Sequence, residues 1–145
     1  MLVKDLMTSP IVTITPSEST ALAARLLSRY DLGVLPVCQN DGRLRGVVTD
    51  RDLVLRCLAP GENPERLPVG DIMTRNCAWV SPQADVHEAA RVMAAAQVRR
   101  LPVVEGRKVV GMLSLGDLAR SRSCEMEAGE AFAEIARGVL EREEE

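Results

Sequence analysis

Apolar residues recur along this chain in two periods, and each pattern occurs twice. Val12–Ile14 is a short β-branched run that predicts a strand. Beyond Pro16 the spacing changes: Ala23, Leu26, Leu27 and Tyr30 fall at i, i+3, i+4 and i+7, one stripe of a helix, with Ser19 placed to cap it. Ala89, Val92, Met93 and Ala96 repeat the stripe, with Asp85 as cap and Glu88 three residues on, a capping-box spacing. Short apolar strands follow each helix, Val34–Cys38 and Leu101–Val104. Asp41-Gly42 and Glu105-Gly106 supply turn residues. Second strands then run over Leu44–Val48 and Val109–Leu113, with short helices from Asp50 and Leu115. Each half therefore reads β-α-β-β-α.

The identities repeat as well as the periods. Asp5-Leu6-Met7-Thr8 returns as Asp71-Ile72-Met73-Thr74, and Leu35-Pro36-Val37 as Leu101-Pro102-Val103, always 66 positions on. The second turn is one residue shorter, so the offset from Gly46 to Gly111 is 65. Two copies of one unit are expected to pack into a single module with two related sites. The expected division is repeat 1 over residues 1–58, a linker over 59–68 carrying three prolines, repeat 2 over 69–120, and a tail over 121–145. In the tail Phe132, Ile135, Ala136 and Val139 form one apolar stripe on an acidic segment. That predicts an amphipathic helix packed on its own domain or against a partner subunit. Glu141–Glu145 reads as a frayed, solvated end.

Composition narrows the class. The 145 residues are 46% hydrophobic, enough for a core, and no apolar run approaches the roughly 20 residues of a membrane span. No secretory leader is legible at the start, so a cytoplasmic protein without membrane insertion is the expectation. Net charge is −3, with the tail more acidic than the body. One Trp, one Tyr and one Phe, with no basic face, argue against nucleic-acid binding. Cys38, Cys57, Cys77 and Cys124 lie far apart, which disfavours zinc and dithiol chemistry and reads as small buried thiols. The single histidine, His87, falls on the polar side of its helix and reads as solvated. No catalytic set and no obligatory cofactor is legible.

The residues best placed for chemistry stand where each last strand meets its helix. Gly46-Val47-Val48-Thr49-Asp50-Arg51-Asp52 and Gly111-Met112-Leu113-Ser114-Leu115-Gly116-Asp117 share one form: Gly, two apolar residues, a hydroxyl, two variable residues, Asp. Thr49 and Ser114 can cap the helices, with Asp52 and Asp117 completing a capping box. The same groups suit a nucleotide: hydroxyl and helix start toward phosphate, carboxylate toward a ribose diol, strand residues around a base. These two readings do not exclude each other.

The paired motifs, the Asp-Met-Thr entries and the Leu-Pro-Val strands together resemble a tandem cystathionine β-synthase (CBS) domain pair, or Bateman module, over about residues 3–120. The resemblance implies an α/β (α+β) fold of two pseudo-twofold β-α-β-β-α repeats, here with a C-terminal helix added. It implies a non-catalytic regulatory module whose clefts take adenosine ligands: AMP, ADP, ATP, S-adenosylmethionine or a dinucleotide. Carried over, Asp52 and Asp117 hold ribose hydroxyls, and Thr49 and Ser114 face phosphate. The base sits among Ile11, Val12 and Val48 in one cleft, and Cys77, Ala78 and Leu113 in the other. Arg99 and Arg100 precede the second Leu-Pro-Val, where the first repeat has Gly33 and Val34. The second cleft is thus expected to prefer a phosphorylated ligand, with Arg51 placed to compensate in the first; the alternative is that Arg99 and Arg100 merely cover surface. The resemblance also implies a homodimer acting on an effector protein. The competing function is a dimerising adaptor that binds no small molecule and recruits a partner through the tail helix.

Overall fold

The computed structural model describes residues 1–9, 11–121 and 125–144. Cys124, one of the four expected buried thiols, lies outside them. The elements are α1 (Val3–Leu6), α2 (Thr20–Arg29), β1 (Val34–Cys38), β2 (Leu44–Thr49), α3 (Asp50–Leu53), α4 (Val86–Ala96), β3 (Arg100–Glu105), β4 (Lys108–Ser114), α5 (Leu115–Ala119) and α6 (Glu125–Glu144). A π turn at Val54–Leu58 extends α3, and a 3-10 turn covers Val69–Asp71. The fold is an α/β arrangement with two small antiparallel sheets, β1-β2 and β3-β4.

The chain forms two compact units whose borders are not those of the sequence repeats. The first-repeat unit comprises Val12–Cys77 with Gly106–Val109; the second-repeat unit comprises Met1–Ile11, Ala78–Glu105 and Val110–Glu145. The opening segment of the chain thus belongs with the second repeat.

In the first-repeat unit, Ser19 caps α2 as its sequence position suggests, its hydroxyl accepting from Leu22 N at 3.1 Å. Ala23 and Leu27 are buried, while Tyr30, the last of the expected stripe, is the exposed C-cap. The core gathers Ile14, Ala23, Leu27, Leu35, Val37, Val48, Val69 and Ile72. The expected strand at Val12–Ile14 shrinks to one parallel bridge, Ile14 to Val37. The reason is local: Glu18 accepts from Thr15 N at 3.1 Å and turns the chain just after Ile14. Thr74 pairs antiparallel with Val47 along the free side of β2, with N–O distances of 3.0 and 2.8 Å. Gly46 permits this approach, because a Cβ there would run into the Thr74 carbonyl.

In the second-repeat unit, Val3 N donates to Ala84 O at 2.9 Å, and Thr8 pairs with Met112 as Thr74 does with Val47. Its core gathers Val3, Val86, Ala89, Met93, Leu101, Val103, Leu113 and Leu118. Asp85 caps α4, but onto His87 N at 2.8 Å, and Glu88 returns no bond, so the expected capping box is a single cap. Ala96, at the end of the stripe, is exposed. The loop from β3 to β4 is two residues, Gly106 and Arg107, which count with the first-repeat unit; both are at positive φ, the conformation that suits a tight hairpin.

The tail helix packs on α4 and α5 of its own unit, one of the two expected alternatives. It runs through Glu144 rather than ending at Glu141, and Glu145 lies outside the described residues. The buried face is Ala128, Ala131 and Ile135, with Gly138 beside them, while Phe132 and Val139 are exposed. Two of the three buried residues are alanines, and the Gln97 amide fills the space beside Gly138, its Nε2 donating to Glu134 O at 3.3 Å. His87, expected to be solvated, is half-buried, its Nδ1 3.2 Å from Glu127 Oε1 on α6. Among the described residues no helix is long and apolar enough to cross a membrane.

Candidate functional site

The two strand-to-helix junctions are built alike. Thr49 Oγ1 accepts from Asp52 N at 3.1 Å, and Asp52 Oδ2 accepts from Thr49 N at 3.0 Å. Ser114 Oγ accepts from Asp117 N at 3.0 Å, and Asp117 Oδ2 accepts from Ser114 N at 2.8 Å. Both are reciprocal capping boxes. Both aspartates are buried, at 6% and 9% exposure. α3 and α5 are four and five residues long, so their macrodipoles are small and the caps chiefly satisfy amide donors.

What surrounds the carboxylates differs. Asp52 also accepts from the Thr74 hydroxyl, 3.1 and 3.2 Å from its two oxygens, and Arg56 Nη1 lies 3.5 Å from Oδ1. Arg56 is itself anchored, donating to Ile72 O at 2.9 Å and Met73 O at 3.2 Å. The Thr8 hydroxyl, which matches Thr74 in the repeat, makes no bond to Asp117. Asp117 Oδ1 pairs instead with Arg120 Nη2. The amides differ too: Arg51 N is taken by Asp50 Oδ1 at 2.9 Å, whereas glycine stands at the matching position 116.

A cavity of about 760 Å³ opens beside the second junction, lined by Arg99, Arg100, Ser114, Gly116, Arg120 and, from α6, Phe132 among others. The volume suits a nucleotide-sized ligand. Three arginines and a serine line one space, which gives it the chemistry of an anion site with one apolar wall. Arg99 also helps to build it: its carbonyl accepts from Leu115 N at 2.7 Å and holds the start of α5.

Of the residues singled out in the sequence, Arg99, Arg100 and Ser114 line this cavity, and Asp117 lies behind Ser114 in the same capping box. Thr49 and Asp52 are joined at the other junction, with Thr74 and Arg56 around them. Val48 and Leu113 are wholly buried, in the first-repeat and second-repeat cores respectively. Ile11 and Ala78 are half-buried in the second-repeat unit, Val12 and Cys77 in the first-repeat unit. Cys38 and Cys57 are buried as expected, whereas Cys77 is only half-buried. Burial pushes the Cys38 thiol up to about 11, with Cys77 adding to the shift, and raises Cys77 too. Arg51 is exposed. Among the described residues no three His, Cys, Asp or Glu side chains group to hold a metal.

Sequence reasoning missed Arg120 and the α6 wall. Arg120 had a signal: it stands one helical turn after Asp117. The wall had a weaker one, the small residues Ala128 and Gly129 beside Phe132.

Comparison with known proteins bears on the family and the fold. The model of the CBS domain matches residues 3–58 and 69–123. The CBS domain-containing protein YhcV of Bacillus subtilis is 36% identical over 134 residues, 92% of this chain and 94% of that protein. Among solved structures, the CBS domain protein PAE2072 from Pyrobaculum aerophilum, complexed with AMP, superposes with a TM-score of 0.78 at 26% identity, covering 90% of this chain and 99% of that one. The CBS domain pair of protein MJ0100, in complex with 5′-methylthioadenosine and S-adenosyl-L-methionine, gives a TM-score of 0.74 at 30% identity, covering 83% of this chain and 94% of that one.

Proposed function

This chain belongs to the CBS domain family, and from that premise we propose that it is a non-catalytic sensor of adenosine-containing metabolites. The ligand is drawn from AMP, ADP, ATP, S-adenosylmethionine and dinucleotides, and the second-repeat cavity prefers its phosphorylated members. The observation that carries this reading is the convergence of Arg99, Arg100, Arg120 and Ser114 on one cavity of about 760 Å³, with the Asp117 carboxylate directly behind the serine. Arginines supply bidentate phosphate contacts, and the carboxylate supplies two acceptors for a ribose diol. The AMP, methylthioadenosine and S-adenosylmethionine complexes of the two structural relatives support the same ligand class. In this reading the chain is a cytoplasmic homodimer, and ligand binding alters its affinity for an effector protein by favouring one of two states.

The adaptor reading has its own observation. Met126, Phe132, Val139 and Leu140 leave large apolar groups exposed along α6, a surface a partner helix could cover.

A thermal-shift titration with AMP, ADP, ATP, S-adenosylmethionine, NAD and cyclic di-AMP separates the two. A ligand at 100 times its dissociation constant should stabilise the protein by about 2.7 kcal/mol, and Arg100→Ala should remove most of the shift for a phosphorylated ligand. No shift with any of the six compounds would sink the sensor and leave the adaptor standing.

A further inference from the structure

We propose that Arg120 is a ligand-exchanged specificity residue: it pairs with Asp117 when no phosphate is bound and passes to the ligand's phosphates on binding, so that the cavity selects phosphorylated over phosphate-free adenosine compounds. The ribose half of this exchange rests on the nucleotide reading above; the anion half stands on the geometry alone.

Three observations carry it. Asp117 is buried, with Oδ2 held by Ser114 N and Oδ1 held by Arg120. The Arg120 side chain is 74% exposed, has Asp117 as its one side-chain partner among the described residues and lines the same cavity as Arg99 and Arg100. The first repeat lacks the device: Leu55 stands at the position matching Arg120, and Arg56, which neutralises Asp52, is tied down by two backbone carbonyls. Arg56 is thus a fixed strut and Arg120 a movable arm.

The exchange follows from relative strengths. An ion pair open to water on one side is weak. A phosphate offers a guanidinium two parallel charge-assisted bonds and a higher charge than a carboxylate. When Arg120 turns to phosphate, Asp117 Oδ1 is left with an acceptor site to fill, and a ribose hydroxyl fills it. A phosphate-free adenosine must displace Arg120 with no new partner for the guanidinium, and Asp117 stays occupied against it.

Isothermal titration calorimetry on the full chain tests the exchange with ATP, 5′-methylthioadenosine and inorganic tripolyphosphate, comparing wild type with Arg120→Ala and Arg120→Lys. Arg120→Ala is expected to weaken ATP and tripolyphosphate about tenfold or more, while methylthioadenosine binds unchanged or tighter. Arg120→Lys should recover part of the ATP affinity, since it restores charge without the fork. Equal losses for ATP and methylthioadenosine would reduce Arg120 to a structural group and overturn the proposal, as would unchanged ATP and tripolyphosphate binding. Arg120-dependent binding of tripolyphosphate, with no adenosine compound bound by wild type, would uphold the arginine's role and overturn the adenosine reading. Binding of none of the three would overturn both.

Discussion

Thr74 and Thr8 occupy matching places in the two repeats, and their exchange for valine should have very different costs. The Thr74 hydroxyl donates to both oxygens of a carboxylate that is 6% exposed. Valine keeps the volume and removes only the donor, so no cavity opens. A hydrogen bond to a buried charged group contributes about 1.5–3 kcal/mol. Thr49 N and Arg56 remain on Asp52, which puts the expected loss near the middle of that range, about 2 kcal/mol. For a chain of 145 residues, this corresponds to a fall in Tm of roughly 4–8 °C. Thr8 is exposed and its hydroxyl touches no carboxylate among the described residues, so Thr8→Val should stay within about 0.5 kcal/mol of wild type. Urea denaturation followed by circular dichroism measures both. Because the Thr74 effect passes through Asp52, the double variant Thr74→Val/Asp52→Asn should lose less than the sum of its parts. Equal losses from the two threonine variants, or strict additivity in the double variant, would refute the argument that the two junctions differ in how their aspartates are satisfied.

Two further outcomes follow from the same structure. Ala131→Leu overfills the buried face of α6, where Ala131 is 2% exposed, and should loosen the helix by about 1–3 kcal/mol, read as a tenfold or greater loss of amide protection over residues 128–138 in hydrogen exchange; unchanged protection would mean that α6 does not dock through this face. The Cys38 thiol, raised from 9.0 to about 11 by burial, stays protonated in the fold after the unfolded chain has ionised. Its contribution is therefore complete below pH 9 and is lost as pH rises from about 9 toward 11, at about 1.4 kcal/mol per unit. Urea midpoints at pH 8 and pH 10 should differ by about 1 kcal/mol more in wild type than in Cys38→Ala, and an identical pH dependence would count against the shift.

The parts of this fold that depend on near neighbours were legible in the chain. Ser19 and Asp85 cap their helices, the four strands fall where the short apolar runs lie, and Thr49 and Ser114 close their boxes, because each contact spans only three residues or so. Features that depend on remote partners were not. Nothing in the period of residues 1–8 says that Val3 meets Ala84 and Thr8 meets Met112. The Val12–Ile14 run has strand composition, yet the Glu18 turn leaves it room for one bridge. On α6, the expected stripe of Phe132, Ile135, Ala136 and Val139 is met only in part: Ile135 is buried as expected, whereas Phe132 and Val139 are exposed and the helix docks otherwise through Ala128 and Ala131, small residues that the apolar stripe did not mark. For the candidate site, the repeated motif pointed to Ser114 and Asp117, and the unrepeated arginines 99 and 100 marked one junction as different. Arg120 escaped because the first repeat has leucine there, and a comparison of copies looks for what they share.

The allotment of Met1–Ile11 to the second-repeat unit sets an order on folding during synthesis. Ala84, Val86 and Met112, which the backbone of this segment pairs with, leave the ribosome some eighty to a hundred residues after it. At about 5–20 residues per second it waits on the order of ten seconds with Val3 and its neighbours uncovered. The first-repeat unit waits less for most of its parts, yet its turn at Gly106–Val109 also arrives late. Each unit is finished by a strip of chain that belongs, by sequence, to the other repeat. Loop closure over such separations slows assembly, and a nascent chain halted before residue 106 can complete neither half.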